Sequence, residues 1–168
     1  MTTCDSSADA TARWQKSFAS KANNRAWALA EQPSRTADED EEMLQAAHAS
    51  AHLWKGIGTA RNGALASMLL AHVYALLKLP NPARHYLARS AAFYASESPE
   101  PWEAAFLHAI SANVAHASGD AATHRERHAL AEAAIRDLAD PEDRKILQST
   151  FDIIAQAELS SSPGHTRT

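Results

Sequence analysis

The sequence predicts an all-α protein of about seven antiparallel helices, and three observations carry that prediction. There are 38 alanines among 168 residues, and alanine is the strongest helix former. Five glycines and seven prolines fall in a few clusters that leave long uninterrupted segments between them. No segment sustains the two-residue alternation of a half-buried strand.

Taken in order, the first helix starts near Asp9 and runs until Pro33 approaches. The second, within 34–55, begins at Thr36, whose pairing with Glu39 reads as a capping box. The acidic run at 38–42 then sits where the helix dipole favours negative charge. A calcium loop would need interspersed glycine and another spacing. "GIG" at 56–58 and Gly63 precede the third helix, within 64–79. "PNP" at 80–82 precedes the fourth, within 83–98. "PEP" at 99–101 opens the fifth, within 102–118, and Gly119 ends it. The sixth lies within 120–140. Asp140 before Pro141 reads as an N-cap followed by proline in the first turn of the seventh. Residues 9–159 form one domain by this reading, with frayed tails at 1–8 and 160–168.

Composition narrows the function classes. The formal charge of −4 and pI near 6.1 leave no basic footprint for nucleic acid. Cys4 is the only cysteine, so an intramolecular disulfide is excluded and a cytoplasmic setting is expected. No apolar run is long enough to suggest a membrane span.

Short connections between such helices predict sequential antiparallel hairpins. Two of them resemble each other: "LLAHVYALLKLPNPARHYLARSA" and "ISANVAHASGDAATHRERHALAEAA" superpose with an offset of about 41, which aligns Ala71 with Ala112 and Lys78 with Gly119. The pattern is similar to the tetratricopeptide repeat, with loops longer than its usual period of about 34 residues allows. Three hairpins of this kind plus a C-terminal capping helix are expected. The stretches "NNRAW", "PSRTADEDEEMLQAAHASAHLW", "GTARN" and "VYALLKLPNPARHY" further resemble a family of small bacterial tetratricopeptide-repeat-like proteins of unknown function. That resemblance implies a fold and no activity. Members carry an Arg-Gly-Glu-Trp-like stretch after the Asn of "GTARN", where this chain reads "GALASM".

Polar groups on the helix faces supply the candidate sites. His48 and His52 stand one turn apart and are close enough to share a metal, opposite an apolar face that includes Met43, Ala47 and Trp54. No Glu follows His48 in the H-E-x-x-H manner. No cofactor is therefore predicted, and a weakly held divalent transition metal at His48 and His52 stays open beside a solvated pair. The third helix carries Leu65, Met68, His72 and Leu76 on one stripe, and the fifth carries Trp102, Phe106, Asn113 and, at the edge, His116. The internal offset makes His72 and Asn113 equivalent, as it does Leu65 and Phe106. In a tetratricopeptide-like fold these positions line a concave groove, here apolar with His72, Asn113 and His116 as polar handles. Alternatively the first two helices cover this face and His72 and Asn113 bond inside a core. His124 and His128 read as packing groups between hairpins. Phosphate-binding glycine loops, nucleophile elbows and cysteine pairs are absent.

The expected function is an interaction module that takes a protein or helical peptide in its groove. The alternative is a small-molecule-binding protein or small enzyme that uses groove histidines as acid, base or metal ligands, its ligand a small apolar molecule with a polar group. Nucleic acid and membrane are not expected partners, and a homodimer is left open.

Overall fold

The computed structural model describes residues 4–160, with side chains from 9 to 154. The described residues form seven α-helices and no strand: α1 (Cys4–Ala30), α2 (Ala37–Ile57), α3 (Ala60–Leu76), α4 (Pro80–Ser96), α5 (Pro101–Ala117), α6 (Ala121–Arg136) and α7 (Pro141–Ser160). α1 starts ahead of Asp9; the remainder of the expected N-terminal tail and residues 161–168 lie outside the described residues. None of the helices is long and apolar enough to cross a membrane.

The helix boundaries follow local chemistry. Thr36 and Glu39 cap α2 reciprocally, Thr36 N–H donating to Glu39 Oε2 at 2.8 Å and Glu39 N–H to Thr36 Oγ1 at 3.2 Å. Thr59 and Asn62 cap α3 in the same way, so α3 begins before Gly63 and carries it as an interior residue. Prolines 80, 101 and 141 occupy first-turn positions, where a missing N–H costs nothing. Asp140 Oδ1 accepts from Glu142 N–H at 2.8 Å at the start of α7.

Two helix ends share one geometry. Lys78 and Gly119, aligned by the 41-residue offset, have φ of 58° and 73°. At the first turn Leu79 N–H reaches Tyr74 O and Lys78 N–H reaches Ala75 O. At the second, Asp120 N–H reaches Ala115 O and Gly119 N–H reaches His116 O. Both are Schellman ends, which favour glycine at the left-handed position. Lys78 holds that conformation despite its Cβ.

Packing pairs α1 with α2, α3 with α4 and α5 with α6 as hairpins. α1, α3, α5 and α7 lie side by side in an inner layer, with α2, α4 and α6 outside. Small residues allow the close approach: Ala64, Ala71, Ala75, Ala105, Ala109 and Ala112 are all buried between α3, α5 and their neighbours. Arg35 locks the first turn. Its Nη1 donates to the carbonyls of Leu29, Ala30 and Gln32 at the end of α1, while Nε donates to Asp40 at 2.6 Å in the first turn of α2. Glu103 of α5 is fully buried. It accepts from Arg61 of α3 at 2.6 Å, from the Tyr94 hydroxyl of α4 at 3.0 Å and from Glu100 N–H at 2.8 Å. Burial and the bond to Glu103 push the Tyr94 phenol well above its ordinary range.

Two stability outcomes follow from these contacts. Glu103→Ala leaves Tyr94 and the Glu100 N–H without their acceptor and should cost about 1–3 kcal/mol in urea unfolding, the partly exposed Arg61 being screened by water. A loss within about 0.5 kcal/mol, typical of surface sites, would contradict the clamp. Lys78→Gly should raise stability by about 0.5–1 kcal/mol by relieving the left-handed conformation.

Candidate functional site

α1 lies across part of the inner face of α3, and Trp27 is the residue that covers it. Its ring stacks on His72 with centroids 5.4 Å apart and meets Phe106 at 4.9 Å. His72 is fully buried beneath it. Asn113 Nδ2 donates to His72 Nδ1 at 3.0 Å, so the two positions equivalent under the internal offset meet across the α3–α5 contact. His72 Nε2 has no hydrogen-bond partner among the described residues. Burial, reinforced by the nearby positive charge of Arg35, lowers the His72 pKa to about 3 and keeps the ring neutral.

The expected groove residues therefore separate. Met68, His72, Phe106 and Asn113 are buried, Leu65, Leu76 and His116 are half-buried, and Phe106 contributes to the lining of an open groove. Of the two arrangements the sequence allowed, the structure has the covered one for His72 and Asn113, with α1 rather than α2 supplying the cover. His116 faces α6, its ring 5.2 Å from His124, which in turn lies 5.7 Å from His128. His124 Nδ1 donates to Ala112 O at 2.8 Å, and His128 packs on Phe151 of α7 at 4.4 Å. These histidines fill the joint between α5, α6 and α7.

The open groove runs between α1, α5 and α7 with a volume of about 510 Å³. Trp27, Trp102, Phe106, Ile146 and Leu147 make it apolar, and Ile146 is 57% exposed. Its charged lining consists of Glu31 and Asp143, with no lysine, arginine or histidine. Burial raises the Glu31 carboxyl above its ordinary range. Thr150 Oγ1, also in the lining, is buried without a hydrogen-bond partner among the described residues. Position within the sequence pattern pointed to Trp102 and Phe106, which share one stripe of α5. Trp27 and Ile146 were missed because they come from helices whose place in the layer follows only from the packing. A second exposed apolar ridge, Trp14 stacked on Phe18 at 5.9 Å, lies on the N-terminal half of α1.

His48 and His52 do not share one environment. His48 Nε2 is 2.7 Å from the Tyr74 hydroxyl, and the ring meets both Tyr74 and Tyr86 edge-on. His52 is exposed. Among the described residues no group of three or more His, Cys, Asp or Glu is placed to hold a metal. An ion at this pair would compete with Tyr74 for His48.

No protein-family model, curated protein or solved structure matches the chain.

The buried His72–Asn113 pair makes a pH-dependent expectation. A His72 pKa of about 3 in the folded state, against 6.5 in the unfolded chain, means the unfolded state binds more protons between these values. Stability from this group is complete above pH 6.5 and declines as pH falls toward 3. At pH 7 His72→Leu should cost about 1–3 kcal/mol, because Asn113 loses its acceptor. At pH 5 that penalty should shrink by about 2 kcal/mol, since the leucine variant has no unfolded-state imidazole to protonate. Urea unfolding of both proteins at the two pH values measures it; a penalty independent of pH would place His72 in a solvated site.

Proposed function

We propose that the chain is a tetratricopeptide-repeat-like interaction module whose inner groove takes an amphipathic peptide or helix. The occupant carries aromatic or aliphatic anchors and a flanking Lys or Arg. The observation that supports this most is the composition of the groove: a floor of Trp27, Trp102, Phe106 and Ile146 beside Glu31 and Asp143, with no basic side chain. Aromatic residues that are half-buried and rigidly backed are the usual anchors of peptide recognition. The two carboxylates supply orientation and selectivity against acidic segments. A cation near Glu31 also relieves the carboxyl that burial has pushed up. The stacked helical layers give a preformed surface, so little ordering cost falls on the module itself.

The experiment is selection of peptides from a random displayed library on the full chain. Enriched sequences should combine apolar residues at i, i+3 or i+4 spacing with a basic flank. Trp102→Ala and Ile146→Glu should each weaken the selected peptides by about tenfold or more, roughly 1.4 kcal/mol. Trp14→Ala with Phe18→Ser should leave them unchanged. Loss of binding in the Trp14 and Phe18 variant alone would move the contact surface to the N-terminal half of α1. Failure to enrich any peptide would remove the reading.

A further inference from the structure

On the outer layer, α2 and α4 are not paired with each other and leave an open cleft above α3. Its volume is about 550 Å³, within the range of small-molecule sites. Lys55 of α2 and Arg89 of α4 line it together with His48 and His52, and no Asp or Glu does, in a chain with 20 acidic and 16 basic residues. Neither cation forms an ion pair with a carboxylate among the described residues. Arg89 is seated over the Tyr86 ring at 5.9 Å. Tyr86 stacks on Tyr74 at 5.7 Å with planes 6° apart, and the Tyr74 hydroxyl is held by His48. The guanidinium thus rests on an ordered aromatic ladder, at the edge of a wall that Trp54 and Phe93 extend. Gly63 lies in the floor, and a Cβ built there meets nothing within 4 Å.

From the cationic walls, the aromatic surface and the open floor we infer that this cleft binds a small aromatic anion. Its ring lies against Trp54 and Phe93, and its anionic group is held by Arg89 and Lys55. Each part of the cleft argues for that class. Two cations without carboxylates favour one anionic group. They are too few for a nucleic-acid backbone, whose affinity grows with the number of phosphates neutralised. The aromatic wall supplies stacking area, and the bare floor at Gly63 admits a flat body close to the α3 backbone. The site is separate from the inner groove, which shares none of these residues.

The test is calorimetric titration of the full chain with naphthoate, naphthyl phosphate and, as the neutral control, naphthol. Both anions, or one of them, should bind with Kd below about 1 mM and at least about tenfold more tightly than naphthol. The preferred anion tells whether the natural ligand carries a carboxylate or a phosphate. Arg89→Gln and Lys55→Gln, exposed substitutions that leave the core untouched, should each weaken the anion about fivefold or more. Gly63→Leu should abolish binding while keeping or raising the thermal midpoint, because the side chain enters open space and leucine favours helix over glycine. Equal affinity for naphthol would mean apolar adsorption only and overturn the proposal. So would undiminished binding in a folded Gly63→Leu protein, or no binding of either anion. If Gly63→Leu does not fold, the Arg89 and Lys55 variants decide: anion affinity unchanged in both overturns the site.

Discussion

The register of α3 and α4 against α5 depends on one buried carboxylate. Glu103 accepts from Arg61 and from Glu100 N–H through Oε2, and from the Tyr94 hydroxyl through Oε1. A single side chain thereby joins α3, α4 and the first turn of α5. Its position at the N-terminal end of α5 places the charge where the helix dipole favours it. A buried ion pair contributes little net stability over well-packed apolar residues, but breaking one is costly. Its effect is therefore on alignment. With Arg61 and Glu103 in register, His72 meets Asn113, and the paired ring becomes the seat on which Trp27 stacks. Trp27 then forms the groove wall beside Phe106.

The inner groove and the outer cleft have opposite character. The inner groove has carboxylates and no base; the outer cleft has cations and no carboxylate. A net charge of −4 on 168 residues predicts neither. The separation arises from the layers. Inner-layer helices present Glu31 and Asp143 toward one side, whereas α2 and α4 present Lys55 and Arg89 toward the gap between them. This arrangement disfavours acidic groups in the inner groove and basic groups in the outer cleft, because like-charged juxtaposition is unfavourable on each side.

Much of the fold was legible because helix ends are local. The Thr36–Glu39 capping box, the first-turn Pro141 and the shared turn at Lys78 and Gly119 need only a few neighbouring residues, and all are present, whereas Pro80 and Pro101, expected between helices, instead start α4 and α5. The 41-residue offset also carried real contact information, since it paired His72 with Asn113. The groove was less legible for a physical reason. α3 and α5 are alanine-rich and apolar on nearly every face, so a stripe through Leu65, His72 and Leu76 does not single out an exposed side. α3 buries residues all around its circumference, from Ala66 and Ser67 through Val73. Glu103 and Arg35 gave no periodic signal: a lone charge in a helix or turn reads as solvated until its distant partners are placed. His48 was assigned to a polar face for the same reason, and Tyr74, 26 residues away, is what holds it.

The central place of α3 has an energetic consequence. One side of it carries His72, roofed by Trp27 of the inner groove, and the other carries Gly63 and Ser67 in the floor of the outer cleft. Interiors packed at crystal-like density do not deform continuously, and α3 is clamped at its start by Arg61 and further along by His72. Occupancy on either face is therefore expected to act on the folding equilibrium first, stabilising the native state by mass action. Coupling between the faces would require α3 to have a second packed position. The bonds from Arg61 to Glu103 and from Asn113 to His72 oppose such a shift in the same direction, since both must break for α3 to slide past α5. Occupants of the two proposed sites would therefore bind independently, with α3 as support rather than relay.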